Sequence, residues 1–554
     1  MSVTDLAGTV LDYVLTFIEN NWLFVAVVFH ALTQRRRPAA TVSIPDKPWL
    51  HSALIVTVSL VWFLGAAAIH GIPLPHVHDE HSYLTAADMF AHGHIAHAEY
   101  PVSKHFETIH VLQRPAYASK YPPAQGVVLA LGIVLFGAAI AGAWLSGVAA
   151  CLAIWWALRV WTTPALALLG GVAVAIHPTM LMWSESYCGG SVAACGGALL
   201  LGACRLLIDR PSRGAAILAA LSIAILAYSR PYEGLVFTVA MFVMLIAGGG
   251  TRLPLLRHAP IGIAVLLLAL VPIVPYNRAL TGSALELPHS LYAKQYDPVC
   301  TFLWQGLRRV PPEPNAEMER IYRVDYLGRY RRIHRPGGVM TEVELKLETI
   351  GYTAFSRPMK PFGSAWYLIV VPLLAWPRLL KNRHARLLTL ALILSCLAPL
   401  PLSGWMQTYY VAPGAALAAA LIVLLTRELA SMNRAGTILA IAACVTFAAN
   451  AAATWVDFVR SRDAGFQPTR QNIAQSLIAR GGKHVVIVAP DVFDAVYNGD
   501  IEYSPVVWAR DLGEARDAEL VAYFHDRHAW YLRHEGERFA IDEWSARARP
   551  RPLP

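Results

Sequence analysis

Charge is what this chain has least of. Asp, Glu, Lys and Arg make up 15% of its 554 residues, where an average soluble domain carries about 25%. Paired cysteines are missing too. The seven cysteines (Cys151, Cys188, Cys195, Cys204, Cys300, Cys396 and Cys444) are odd in number, form no CxxC pair, and all but Cys300 lie in or beside apolar runs. A disulfide framework and a zinc ribbon are thereby excluded, and the cysteines read as small packing residues. There is no glycine-rich nucleotide loop and no internal repeat. The run 8–32 holds Glu19, Asn20 and Asn21 near its middle and is too polar for a signal peptide, with no A-x-A-like site after it.

What is present is apolar sequence. Hydrophobic residues reach 56% and the mean hydropathy is +0.44, which excludes a disordered chain, a fibrous protein and an ordinary soluble enzyme. A spanning helix needs roughly 20 apolar residues. Suitable runs lie at 51–71 and near 164–182, 186–207, 214–229, 234–250, 259–276, 363–380, 387–402, 409–426 and 435–454. Residues 123–160 are read as an interfacial or re-entrant piece followed by one spanning helix. The expected total is about eleven crossings, with a twelfth if 8–32 also spans.

Basic connectors separate these runs: Arg35 to Arg37, then Arg205, Arg210 and Arg213, then Arg252 and Arg257, then Arg378, Lys381, Arg383 and Arg386, and finally Arg427 and Arg434. With alternating spans they all fall on one side, which the positive-inside rule makes cytoplasmic. The net charge of +9 therefore orients helices in a bilayer, and no nucleic-acid partner is expected. The opposite, extracytoplasmic side receives a loop at 72–122, the turn 229–234, a loop at 277–362 and the chain from 455 onward. In that last segment 484–490 and 528–534 read as strands and 513–527 as an amphipathic helix. The expected fold class is thus mainly α: a polytopic transmembrane helix bundle with a small extracytoplasmic C-terminal α/β domain. Its parts are an N-terminal segment with a basic connector (1–48), the bundle (49–454) and the α/β domain (455–554).

Chemistry concentrates on the outer side. Asp79 and Glu80 follow the first clear spanning run, and such neighbouring carboxylates repel, which raises one pKa and can tune a base. Lys120-Tyr121-Pro122-Pro123 opens the next apolar run; the prolines set an extended entry, while the lysine is placed either to snorkel to headgroups or to grip a phosphate. Arg230-Pro231-Tyr232-Glu233-Gly234 and Ser184-Glu185-Ser186-Tyr187 lie on the same side. Carboxylates, cations and tyrosines thus gather at one face of the membrane, and Tyr121, Glu185, Tyr232 and Glu233 are the expected substrate-binding side chains. Nine of the 20 histidines fall between His70 and His110. His76, His78, His81, His92, His94 and His97 would suit zinc or copper, but their spacing is irregular, and the reading adopted is an interfacial loop with no metal and no cofactor.

An Asp-Glu pair after the first span, a basic-aromatic-Pro-Pro step and many crossings resemble the glycosyltransferase C superfamily. Within it, residues 50–362 are similar to bacterial protein-mannosyltransferase-like and lipid A aminoarabinose transferase-like enzymes. The resemblance implies an inverting integral membrane glycosyltransferase that takes a sugar from a polyprenyl-phosphate donor and moves it to an extracytoplasmic acceptor (glycan, lipid or protein) at the inner (plasma) membrane. It implies Asp79 as the catalytic base with Glu80 supporting it, and Lys120 as the holder of the donor phosphate, joined by Arg230 on charge grounds. Two other classes stay open at this point. A secondary transporter would show mid-span charges and matched halves, and neither is evident; a metal-handling membrane protein would be built on the histidine-rich loop.

Overall fold

The computed structural model describes residues 44–248, 253–312, 314–356, 360–461, 466–536 and 538–545. The run 8–32 and the basic residues Arg35 to Arg37 and Arg252 lie outside them. Helices dominate. Among the described residues seven are long and apolar enough to cross a membrane: Pro48–His70, Ala139–Trp161, Gly190–Asp209, Pro231–Gly248, Arg257–Thr281, Thr408–Ala430 and Arg434–Arg460. The pair Pro164–Ala175 and Pro178–Ser184 adds an eighth, bent by 55°. Among the three shorter apolar helices, Arg213–Ser229 and Tyr367–Leu379 match expected crossings, and Pro123–Phe136 is the piece read as interfacial or re-entrant; the expected crossing at 387–402 is not among these helices. Helix Pro48–His70 shows why such segments need lipid. It buries Ile55, Phe63 and Ala66 on the bundle, yet leaves Val61 and Ile69 about two-thirds exposed, and a helix apolar all round is at home only in a core or a bilayer.

Two spans differ in detail from the hydropathy reading. The run near 259–276 continues through Pro272 to Thr281, so the second outer loop starts five residues later than expected. The run 387–402 forms a helix only over Arg383–Leu397 and then turns. The stretch 123–160 resolves as anticipated into a short helix, Pro123–Phe136, and a full-length one, Ala139–Trp161, reversed at the left-handed Gly137 (φ 74°). Their crossing is tight enough to require glycine, since a Cβ on Gly142 would lie 2.1 Å from the Val128 carbonyl oxygen.

The two ends of the bundle carry different groups. At one end Arg205, Arg378, Asn382, His384 and Arg427, from three basic connectors, line one cavity. At the other, the pieces assigned to the outer side meet. The first loop folds as helix His78–Ala91 and a three-stranded antiparallel sheet ordered His97–Ala98, Ala116–Ser119, Val111–Leu112. The C-terminal segment forms a four-stranded sheet ordered Val506–Arg510, Lys483–Val488, Arg527–Glu535, Arg538–Glu543, parallel across its first three strands and antiparallel at the last pair.

The strands read at 484–490 and 528–534 and the helix within 513–527 are all present. Strands Val506–Arg510 and Arg538–Glu543 escaped notice, because the first is a five-residue buried run without alternation, which periodicity cannot assign. Helix Gln467–Arg480 covers one face of this sheet through Leu477. The other face packs on the first loop: Met89, Phe106 and Tyr117 share a core with Ile487, Val507 and Phe524.

Exposed Lys381 adjoins the basic cavity, whereas exposed Glu319 adjoins Glu317, which pairs with the C-terminal domain. Single cysteines at these two positions, in a background with the native cysteines replaced, should react oppositely with an impermeant thiol reagent in whole cells. Glu319→Cys should label and Lys381→Cys should not; the reverse pattern inverts the topology.

Candidate active site

A cavity of about 400 Å³ opens at the end of the bundle opposite the basic cavity, and its wall includes Asp79, Lys120, Tyr121, Arg230, Tyr232 and Glu233. Six of the eight site residues read from the sequence therefore meet in one place, although they come from three separate segments. Glu80 and Glu185 are not on its wall.

Asp79 sits in the first turn of helix His78–Ala91, where the free N–H groups of a helix favour a carboxylate. Tyr121 donates its hydroxyl hydrogen bond to Asp79 Oδ1. Oδ2 stands 3.8 Å from His110 Nε2. Tyr121 is itself stacked on Tyr83, with ring centres 4.5 Å apart. Burial, then the charge of Asp79, holds the Tyr121 phenol far above its usual pKa, so it stays a hydrogen-bond donor. One carboxylate oxygen is thus oriented, and the other is left toward His110 and the cavity.

Glu80 turns away from the cavity and is a clamp. Its Oε2 accepts from the His76 and Val77 amides at 2.7 and 3.3 Å, and its Oε1 accepts from Ser186 Oγ and the Tyr187 amide at 2.8 and 3.1 Å. The first pair caps the helix in capping-box fashion; the second ties it to the loop after the bent span. Glu185 lies behind the wall, accepting from Trp144 Nε1 at 3.0 Å. The cavity does not reach Glu185, the expected substrate contact, and this bond joins it to helix Ala139–Trp161 instead.

Lys120 follows strand Ala116–Ser119 directly, and its amide donates to the His110 carbonyl at 3.2 Å. Pro122 is extended (φ −60°, ψ 148°) and helix Pro123–Phe136 begins immediately after it, so the proline pair fixes where the lysine stands. Its Nζ lies 5.1 and 5.0 Å from the ring centres of Tyr121 and Tyr292. Among the described residues it has no hydrogen-bond or ion-pair partner. Burial depresses its pKa to about 8, against the opposing pull of Asp79 and Asp297.

Arg230 occupies the reversal between helices Arg213–Ser229 and Pro231–Gly248. Its extended backbone is what a residue before proline adopts. One guanidinium nitrogen donates to the Cys188 carbonyl at 3.0 Å, while the group lies 4.1 Å over the Tyr409 ring. Tyr232 donates to the Ala398 carbonyl at 3.0 Å, which leaves its ring, not its hydroxyl, for the cavity. Glu233 is buried in the first turn of its helix.

Sequence reasoning missed other wall residues. His110, His289, Asp297, Tyr326, Arg329, Tyr409 and Tyr410 all line the cavity, and none carries a local signature. His110 adopts a left-handed backbone (φ 69°), uncommon for a non-glycine residue. Its amide donates to Tyr292 Oη at 2.8 Å and its carbonyl accepts from Ser82 Oγ at 2.6 Å. Burial, then nearby Lys120, pushes its imidazole well below the usual value, so it faces Asp79 uncharged. Asp297 is raised to about 6 by burial, with its hydrogen bond from the Val299 amide, Lys120 and Arg308 opposing.

No family model matches the sequence, and no curated protein does. Solved structures do match. ArnT from Cupriavidus metallidurans bound to undecaprenyl phosphate is similar at 14% identity over 88% of this chain and 93% of that one, with a TM-score of 0.48. The oligosaccharyltransferase of Archaeoglobus fulgidus, in a complex with Zn and sulfate, is similar at 14% identity over 87% of this chain and 68% of that one, with a TM-score of 0.51. This second likeness shows that the chain shares the fold of that oligosaccharyltransferase.

Proposed function

We propose that the protein is an integral membrane glycosyltransferase that moves a sugar from a polyprenyl-phosphate donor to an acceptor hydroxyl or similar nucleophile on the extracytoplasmic side. The observation that carries this reading is one cavity, at the ends of apolar helices, whose wall holds an oriented carboxylate together with the cations Lys120 and Arg230. The shared fold supports it.

The chemistry assigns each group a task. The acceptor O–H gives its proton to Asp79 Oδ2 as its oxygen attacks the anomeric carbon, within the reach expected of a general base. The bond from that carbon to the donor phosphate oxygen breaks on the opposite face, which inverts the centre. Polyprenyl phosphate leaves with its electron pair and needs positive charge rather than an acid. Lys120 and Arg230 provide it, the lysine as a free ammonium and the arginine through the N–H groups that Cys188 leaves unused. Tyr121, Tyr232, Tyr409 and Tyr410 offer ring faces to a sugar. A cavity of about 400 Å³ falls in the usual range for small-molecule sites, roughly 300–1,000 Å³. The polyprenyl chain dissolves in the bilayer beside the exposed apolar helices.

Three outcomes test the assignment, using purified protein and a panel of labelled polyprenyl-phosphate sugars. Asp79→Asn should lower turnover by roughly 10²- to 10⁴-fold, as for loss of a general base, with donor affinity kept; near-normal turnover would refute the mechanism. Lys120→Ala and Arg230→Ala should each weaken donor binding by roughly 1.5–3 kcal/mol, the worth of a charged hydrogen bond, and unchanged affinity in both would remove them from the donor site.

The third concerns pH. Lys120 must be protonated to hold a phosphate, and its pKa in the free protein is lowered to about 8. Donor affinity should therefore be full below that pH and fall as pH rises through it. Lys120→Arg, whose charge does not titrate in this range, should flatten the profile. An identical profile in both would assign the pH dependence elsewhere.

A further inference from the structure

The proposed transfer leaves the histidine-rich part of the first loop without a role. His94 and His97 lie beyond helix His78–Ala91 and do not line the cavity. They converge instead on Asp500, more than four hundred residues away in the C-terminal domain. His94 Nδ1 is 2.9 Å from Asp500 Oδ2, and His97 Nε2 is 2.8 Å from Oδ1. All three ligand atoms lie within 4.8 Å of one another, and the two imidazole rings are 4.7 Å apart. We propose that His94, His97 and Asp500 bind a divalent metal ion of the zinc class, which clips the first outer loop to the C-terminal domain. This site is separate from the transfer cavity and does not depend on its assignment.

Three observations favour a cation here over a plain hydrogen-bonded carboxylate. First, the Asp500 side chain is 0% exposed, and among the described residues no lysine or arginine pairs with it. A buried carboxylate without a positive partner is costly. Second, another carboxylate is drawn in beside it. Asp88 Oδ2 accepts from the Asp500 amide at 2.7 Å, and a Cβ on Gly499 would come within 2.1 Å of that same oxygen. The close approach is built into the backbone and concentrates negative charge. Third, the donors are two imidazole nitrogens and one carboxylate oxygen, with solvent access past His94, whose side chain is 36% exposed. Two nitrogens, one oxygen and an open fourth position suit tetrahedral zinc with a bound water, whereas calcium and magnesium require oxygen shells.

The ligands would then hold the edge of the loop. His97 begins the strand His97–Ala98 that pairs with Ala116–Ser119, and Lys120 comes next in sequence. A second cluster, His78 with Glu317 and Asp494, is the competitor. His78, however, is already hydrogen-bonded to the Tyr497 hydroxyl, which makes it the poorer ligand.

The test uses full-length protein purified without a polyhistidine tag, stripped with chelator and reloaded with zinc. The wild type should hold one equivalent more zinc than His94→Ala or His97→Ala, and zinc should raise the thermal midpoint of the wild type but of neither variant. His78→Gln should keep the ion. Cobalt in place of zinc should give the wild type the visible absorption of a tetrahedral site. Equal zinc content in the wild type and both loop variants, loss of the ion in His78→Gln instead, or no tetrahedral cobalt spectrum in the wild type would each overturn the proposal. The cobalt reading needs no variant and stands even if one fails to fold.

Discussion

Glu80 accepts four hydrogen bonds from two segments of chain, and the rest of the outer face is arranged around that carboxylate. Its Oε2 holds the His76 and Val77 amides and so fixes where helix His78–Ala91 begins. Its Oε1 holds Ser186 and the Tyr187 amide and so binds that helix to the loop after the bent span. Asp79 precedes it by one residue, and successive side chains on a helix point about 100° apart. With Glu80 turned into the protein, Asp79 is turned into the cavity. Hydrogen bonds to a buried charge are among the stronger ones, roughly 1.5–3 kcal/mol each, so this registration resists slippage.

From that helix the positioning spreads outward. Ser82 Oγ reaches the His110 carbonyl at 2.6 Å and Ser119 Oγ at 2.8 Å, which sets the strand that delivers Lys120. Thr85 Oγ1 donates to the Asn498 carbonyl at 2.7 Å, and the His81 ring stacks on Tyr497 at 4.0 Å. A buried pair, Arg510 with Glu317 at 2.5 Å, joins the C-terminal sheet to the second outer loop. The C-terminal segment is therefore more than an appendage. It supplies one face of the core that supports the first loop, and through Glu317 it braces the loop that contributes His289 and Asp297.

The membrane explains why so much chemistry sits in so few places. Charges cannot be spread along apolar spans, and among the described residues side chains of three basic connectors gather at one end while Asp79, Lys120 and Arg230 gather at the other. At the outer end the polar groups are crowded and partly desolvated, which is how Lys120 and Asp297 come to be shifted by burial. A donor with a long hydrocarbon tail and a charged phosphate matches that boundary.

Hydropathy is a local property, and what rests on it was legible in the sequence: the apolar runs, the short-then-long pair over 123–160 and two strands of the C-terminal sheet. Asp79, Lys120, Tyr121 and Arg230 could also be picked out, because each marks a junction where an apolar helix starts or ends. Only the family resemblance gave Asp79 and Glu80 different expected roles; the residues themselves could not show which of them faces the cavity, since adjacent carboxylates differ only in the direction their helix gives them. Nor could they show that Glu185 faces Trp144 or that His110 faces Asp79. The meeting of His94 and His97 with Asp500 was hidden for the same reason. Such partners are set by packing between segments hundreds of residues apart, and no spacing along the chain encodes a distance across the fold.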